Sequence, residues 1–134
     1  MADYKAVTRG IFDGIAAGGD VDAVVEKNMA EDFVEHENVP GMDHTRETPR
    51  QLFKLMQAAF EDFHVDVRDL LQDGDKVVAR VSFVGRHTGD FMGVPASGNP
   101  VEIHAIDVLQ FRDDDKCVAH WGVMDMAGAM AHQA

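Results

Sequence analysis

The spacing of apolar residues changes once along the chain, near residue 63, and this change constrains the fold more than any other feature. Before it, apolar residues such as Leu52, Met56 and Phe60 recur every three or four positions, which is typical of one face of a helix. After it, apolar and polar residues alternate for most of the remaining chain, as in half-buried strands. The pattern predicts an α+β architecture in which helices lie across one face of a curved antiparallel sheet.

The local signals place the elements within this frame. The sequence Thr48-Pro49-Arg50-Gln51 predicts a helix start, with Thr48 as the N-cap and Pro49 at the first helical position. Residues 33–37 are predicted as a short extended piece. The other predicted helices span residues 4–17, 20–29 and 126–132, and the predicted strands span residues 64–72, 76–87, 101–111 and 117–124.

Length and charge limit the class of protein. A chain of 134 residues fits a single domain, residues 1–134. The formal net charge of −12 argues against nucleic acid and anionic membranes as partners, because binding to phosphates needs a basic face. Cys117 is the one cysteine, so no internal disulfide can form, and the N-terminal sequence does not resemble a signal peptide. We therefore expect a cytoplasmic protein that spans no membrane.

Two aspartates interrupt predicted apolar strand faces. Asp107 lies among the odd-numbered apolar positions of 101–111, and Asp125 follows Trp121 and Val123 on one face of the last strand. Burial raises the pKa of a carboxyl group that has no partner, so each aspartate is a candidate general base. Asp125 has a structural alternative, since it precedes Met126 and could cap the closing helix.

The partner of Asp125 depends on the register of the last hairpin. If Asp113 pairs with Lys116 around a two-residue loop, Asp125 lies opposite His104 and forms a carboxylate–imidazole dyad. If the loop has three residues, Asp125 shares a face with Asp107 several residues away along the sheet. The sequence leaves both registers open, and we favour the first because it gives His104 a function.

The histidines do not suggest a metal site. None of the seven is paired at His-x-His or His-x-x-x-His spacing, so no metal is expected. His87 is predicted to point toward the core. His120 is predicted to face the surface or a partner, while a pocket and the surface are equally good interpretations for His36.

Four segments together resemble one family. Residues 87–98, HTGDFMGVPASG, with residues 106–108, residues 120–122 and residues 125–126, are similar to the SnoaL-like polyketide cyclases, also called ester cyclases. The resemblance covers nearly the whole chain. It implies the nuclear transport factor 2-like fold, a cone of curved antiparallel sheet whose N-terminal helices enclose a pocket, and it implies a homodimer formed through the outer sheet face.

The resemblance also implies a reaction. Characterised members close a ring by intramolecular aldol condensation, without a metal or an organic cofactor. By motif position Asp125 resembles the family's base, and His104 resembles a histidine of the pocket that would hydrogen-bond the enolate oxygen. The expected substrate is a small, hydrophobic, polyketide-like or β-dicarbonyl compound with several oxygens. We expect the pocket walls to be Phe33, Phe60, Phe91 and Trp121, and the polar contacts to be His36 and His87.

Two other functions remain open. The same pocket could shift a double bond or open an epoxide, which a second buried acid at Asp107 would favour. The domain could also bind a small molecule as a dimer without catalysis, because folds of this kind host sites of several functions.

Overall fold

The computed structural model of the chain describes residues 2–131 and residue 133. Its elements, in chain order, are α1 (Tyr4–Gly14), α2 (Val21–Asn28), β1 (Met29–Glu35), α3 (Glu47–Ala59), β2 (Phe60–Asp73), β3 (Lys76–His87), β4 (Pro100–Phe111), β5 (Cys117–Met124) and α4 (Met126–Met130). The α+β class predicted from the change of period is confirmed. The bounds of β3 and β5 agree with the prediction, and His132 lies outside the described residues.

The helix starts follow from capping, with one correction. Asp20 caps α2, since its carboxylate accepts from the Ala23 N–H at 3.1 Å, in agreement with the predicted acidic cap. The predicted capping box at Thr48 is wrong, because α3 begins at Glu47, two residues before the predicted first helical position, Pro49. Thr48 is the second residue of the helix, and its buried hydroxyl donates to the Asp43 carbonyl instead of capping the first turn.

The five strands form one sheet in the order β1-β5-β4-β3-β2. The strands β2 to β5 make the predicted antiparallel meander. The unpredicted feature is the edge, where β1 pairs in parallel with β5 and brings Glu35 beside His120. This pairing joins residues 85 positions apart in sequence, so no local pattern predicts it.

The β4–β5 hairpin combines both predicted registers. The Arg112 N–H donates to the Lys116 carbonyl at 2.9 Å, which leaves a three-residue loop, residues 113–115. A shift next to Phe111 then adds one residue, Val118, to β5. As a result, the Asp125 N–H donates to the carbonyl of its neighbour His104 at 2.8 Å. The hairpin therefore has the three-residue loop of the second register, while Asp125 lies opposite His104 as in the first register.

The extra residue reverses the faces of β5. A single inserted residue moves every following side chain to the other face of the sheet. His120 therefore points inward opposite Leu109, while Trp121 and Val123 are 37% and 74% exposed on the outer face. The prediction that Trp121, Val123 and Asp125 face the interior is wrong for this reason.

The helices cover the inner face of the sheet. Helix α1 packs against β2 and β3, and α3 packs against β2 and α2. Buried aromatic side chains such as Phe60, Phe63 and Phe83 fill the space between these layers. None of the described helices is long and apolar enough to cross a membrane.

Candidate active site

A cavity lies between the inner face of the sheet and helices α1 and α3. The centre of a water molecule can reach about 50 Å³ of it, so it has room for a few waters. Twelve of its sixteen lining residues are apolar, namely Ile11, Phe12, Met29, Phe33, Val39, Pro49, Leu52, Phe53, Phe83, Leu109, Cys117 and Met124. The other four are Glu35, Glu37, Asp107 and His120. An apolar cavity with a few converging polar groups is the usual form of a small-molecule site.

His120 lies between two buried carboxylates. Its Nε2 is 2.8 Å from Asp107 Oδ1, and its Nδ1 is hydrogen-bonded to Glu35 Oε2. Burial lowers the pKa of His120, but the hydrogen bonds and charges of Asp107 and Glu35 outweigh burial and raise it to about 10. His120 is therefore an imidazolium at neutral pH and donates from both ring nitrogens.

The backbone around Glu35 fixes this arrangement. The Glu35 N–H donates to the His44 carbonyl at 3.0 Å, and His44 Nδ1 lies 2.8 Å from the Glu35 carbonyl oxygen. The next residue is held as well, since the His36 N–H donates to the His120 carbonyl at 2.8 Å. The end of β1 is thus tied both to the following loop and to β5.

One oxygen of Asp107 has no partner. The residue is 4% exposed, and Oδ2 receives no hydrogen bond from any described residue. A buried carboxylate oxygen without a donor is a strong acceptor, because it has lost water without replacement. Asp107 is one of the residues that line the cavity, so a ligand bound there lies beside this carboxyl group.

Glu37 supplies a second carboxyl group with a different charge state. Burial raises its pKa to about 7, with a further increase from Asp107 and Glu35 and an opposing effect of His120. One oxygen of Glu37, one oxygen of Asp107 and one ring nitrogen of His120 all lie within 4.8 Å of one another. The carboxyl of Glu37 therefore exchanges its proton near neutral pH, close to the Asp107 carboxyl group.

Glu37 also marks the mouth of the cavity. Together with Val39 and Met124 it lines both the cavity and an outer groove that Met92 and Met126 border. These shared residues place the opening where the loop after β1 meets the end of β5. A small molecule entering from the groove passes Glu37 first.

Gly122 allows the carboxyl groups of Glu37 and Asp107 to lie close together. It pairs with Asp107 across the strands, and a Cβ atom built on it would lie 2.4 Å from Glu37 Oε1 and 2.6 Å from Asp107 Oδ1. Real Cβ atoms do not approach other atoms so closely. The glycine is thus required by the close approach of the two carboxyl groups.

Within the described part of the chain, the cavity groups come closest to forming a metal site. Glu37, Asp107 and His120 have ligand atoms close enough to share an ion. Both ring nitrogens of His120 are already hydrogen-bonded, and a metal would have to displace a proton held with a pKa of about 10. The set is better suited to hydrogen bonding than to metal ligation, and the absence of a metal or cofactor stays a prediction.

Of the three residues predicted as catalytic, the structure brings Asp107 into the cavity. His104 and Asp125 are neighbours on the outer face, where the His104 side chain is 66% exposed and its Nδ1 lies 3.0 Å from Ser82 Oγ. Asp125 caps α4, since its carboxylate accepts from the Gly128 N–H at 2.8 Å. The expectation that His104 and Asp125 form a dyad inside the pocket is wrong, and the capping alternative for Asp125 is confirmed.

The residues predicted as pocket walls and polar contacts also lie partly inside and partly outside the cavity. Phe33 lines the cavity. Phe60, Phe91 and His87 are buried in the core away from it, with the Phe60 and Phe91 ring centroids 4.8 Å apart. His36 is exposed and stacks on Trp121 with centroids 4.6 Å apart, outside the cavity.

Sequence reasoning missed Glu35, Glu37 and His120. A signal for the two glutamates existed, because Phe33, Glu35 and Glu37 alternate along an extended segment and share a face. A signal for His120 existed as well, because the favoured register places it opposite Leu109, on the same face as Asp107.

The curved sheet, the helices over its inner face and the cavity between them define an α+β cone of the nuclear transport factor 2-like type. The chain belongs to the SnoaL-like polyketide cyclase family, whose sequence model matches residues 6–133. Both the fold and the family implied by the sequence are confirmed.

Solved structures agree with this assignment. IdmH from Streptomyces antibioticus, provisionally described as a polyketide cyclase, is 28% identical, with a TM-score of 0.81 and 97% of each chain covered. AclR from Streptomyces galilaeus, provisionally described as a hydroxylase, is 25% identical, with a TM-score of 0.84 over 99% of this chain and 82% of AclR. A Catenulispora acidiphila protein with a ketosteroid isomerase-like fold is 16% identical, with a TM-score of 0.74 over 95% of this chain and 91% of that one, and shows the fold alone. No curated protein matches the chain.

Proposed function

We propose that the cavity performs acid–base chemistry at a carbon flanked by carbonyl groups, in the form of an intramolecular aldol-type ring closure. The substrate would be a small, hydrophobic polyketide-like or β-dicarbonyl compound. Membership of the cyclase family supports the reaction class. The observation that carries the proposal is the buried Asp107 carboxyl, one oxygen of which is unpartnered, close to the Glu37 carboxyl. Carboxyl groups whose environments differ in this way act as a base and an acid.

The base in this proposal is Asp107. Its Oδ2 removes a proton from the carbon between two carbonyl groups, and the electron pair passes to a carbonyl oxygen to form an enolate. His120 holds the other oxygen, Oδ1, at 2.8 Å and so fixes the direction of the base. General base catalysis of this kind contributes about 10²–10⁴-fold to a rate.

The acid is Glu37. In its neutral form it donates a hydrogen bond to the enolate oxygen, and the enolate carbon then attacks the second carbonyl carbon of the same molecule. The alkoxide formed in this step takes the proton of Glu37, and the proton on Asp107 returns to Glu37 when the product leaves. The product is an isomer of the substrate, and the steps need no metal ion or organic cofactor.

A double-bond shift is a second candidate, favoured by the small cavity and by the closeness of the two carboxyl groups. It requires only that one proton move between two carbons of one molecule. Epoxide opening needs the same acid but also a water molecule. Conversion of a β,γ-unsaturated ketone to its conjugated isomer, followed by ultraviolet absorbance, separates the double-bond shift from ring closure.

Proton abstraction can be measured without the natural substrate. The protein is incubated in D₂O with small β-keto esters and β-diketones, and loss of the acidic C–H signal is followed by NMR. We expect exchange above the buffer rate that falls at least about 100-fold in Asp107→Asn. The exposed aspartate Asp73, replaced by asparagine, serves as the control and should retain the rate. Equal exchange in wild type and Asp107→Asn contradicts the proposal and favours a binding domain without catalysis.

We also propose a homodimer through the outer face of the sheet. Exposed apolar side chains gather there, and such patches mark interaction surfaces. They include Val78, Ile106, Trp121 and Val123. Light scattering would show twice the chain mass, and Val123→Asp should return the protein to a monomer. The cytoplasmic location expected from the sequence stays a prediction.

A further inference from the structure

Carboxyl groups outnumber cationic groups in the cavity lining. Its lining includes the carboxyl groups of Glu35, Glu37 and Asp107 and the imidazole of His120, and no lysine or arginine lines it among the described residues. His120 is hydrogen-bonded to Glu35 and Asp107 through its two ring nitrogens, so neither nitrogen is free to pair with the carboxylate of Glu37. Uncompensated charge among apolar walls is unfavourable, so a ligand of opposite charge would relieve it.

Two carboxyl groups in the cavity have oxygens that accept no hydrogen bond from a described residue. Asp107 Oδ2 is buried and unpartnered on a side chain that is 6% exposed, and no described residue donates to the carboxyl of Glu37. The two carboxyl groups lie within 4.8 Å of one another, so one donor group with two N–H bonds could reach both. Around them the walls are apolar, with the rings of Phe12, Phe33 and Phe53 among them.

We propose that the cavity binds a small organic cation, a protonated aliphatic amine, whose N–H groups donate to the carboxyl groups of Asp107 and Glu37 while its alkyl groups contact the apolar walls. The room for a few waters limits the unexpanded cavity to amines of a few carbon atoms. Aromatic walls add favourable contacts with a cation. The inference goes beyond the proposed ring closure and does not depend on it, because binding of the amine needs no reaction.

An organic cation fits this site better than a metal ion. A metal needs several free donors, whereas both ring nitrogens of His120 and one oxygen of Asp107 are already engaged. Hard divalent cations also keep waters, for which a mostly apolar wall offers few partners. Alkyl groups, in contrast, gain free energy when they are buried against such a wall.

Binding should tighten as the pH rises through 7. Glu37 faces Glu35 on β1, Asp107 on β4 and His120 on β5. A bound cation favours the ionised form of Glu37, so binding releases its proton. From acid to alkaline pH, the affinity for the cation should rise about tenfold for each pH unit by which the bound cation lowers the pKa of Glu37.

Calorimetric titration of the whole chain with n-propylammonium tests the proposal, with 1-propanol as a neutral probe of the same shape and propionate as an anionic one. We expect one saturable site for n-propylammonium, no measurable binding of the other two probes, and tighter binding at alkaline than at acid pH. Asp107→Asn and Glu37→Gln should each weaken binding at least about tenfold, since each removes a charged acceptor. The control variants Asp73→Asn and Glu61→Gln should bind as the wild type does.

Three results would overturn the inference: no binding of n-propylammonium, equal binding of 1-propanol, or unchanged affinity in both cavity variants. Zinc chloride is titrated in parallel, and a stoichiometric zinc site without binding of the amine would replace the organic cation by a metal. Circular dichroism checks that each variant is folded. Because no carbonyl compound is present, failure of amine binding is distinct from failure of the D₂O exchange.

Discussion

Replacing Glu37 by glutamine is expected to stabilise the protein at alkaline pH and to have little effect at acid pH. The folded-state pKa of Glu37 is raised from 4.5 to about 7, mainly by burial. The unfolded chain therefore loses this proton at a lower pH than the folded chain does. The stability linked to the proton is complete below about 4.5 and is lost as the pH rises through about 7.

The size of the effect follows from that difference in pKa. Each pKa unit corresponds to about 1.4 kcal/mol, so the rise from 4.5 to about 7 corresponds to roughly 3 kcal/mol of unfolding free energy. Glu37 lies at the cavity mouth and is partly exposed, which reduces the expected effect to roughly 2 kcal/mol. Glutamine has nearly the same shape and stays neutral, so the variant avoids this loss.

Urea denaturation measures the unfolding free energies of wild type and Glu37→Gln at about pH 4.5, about pH 7 and about pH 8.5. Glu31→Gln is the matched control, because Glu31 is exposed on β1 outside the cavity. We expect the difference between Glu37→Gln and wild type to grow by roughly 2 kcal/mol from the lowest to the highest pH. A difference that stays constant with pH would refute the reasoning, since it would mean that Glu37 is not held protonated in the fold.

Four further variants, at three residues, test other contacts. Gly122→Ala should abolish D₂O exchange while the protein stays folded, because the added methyl group would lie 2.4 Å from Glu37 Oε1; exchange at the wild-type rate would contradict the close approach. Glu35→Gln should lower the pKa of His120 from about 10, as followed by NMR of its ring, because it removes one of two carboxylate partners; an unchanged pKa would be inconsistent with that hydrogen bond. Asp125→Ala should cost about 1 kcal/mol of stability by loss of the helix cap, with exchange unchanged, and Asp125→Asn should restore the stability.

The change of hydrophobic period was sufficient to predict the α+β class, and alternation predicted β3 and β5 with their bounds. Both signals are local, since they depend on which side chains share a face of one element. The parallel pairing of β1 with β5 is not local, because it depends on packing between distant segments. Its consequence, Glu35 beside His120, was therefore not predictable from the spacing of residues.

The misplaced dyad has a physical explanation. With a three-residue loop alone Asp125 would face inward, and one extra residue, Val118, sends it to the outer face; no residue type marks such an insertion. One part of the error was avoidable, however. His104 occupies an even-numbered position of β4, on the opposite face from Asp107, and directly opposed residues share a face. A pair of Asp125 with His104 therefore already implied a position outside the pocket.

The central claim is that the cavity group around Asp107 performs the chemistry, and not the outer pair of His104 and Asp125. The most direct test is the rate of deuterium exchange into one β-diketone by Asp107→Asn and Asp125→Asn, compared with wild type near pH 6, where Glu37 is protonated. We expect the rate of Asp125→Asn to equal that of wild type and the rate of Asp107→Asn to fall at least about 100-fold. A loss of exchange in Asp125→Asn, with Asp107→Asn unaffected, would contradict the claim.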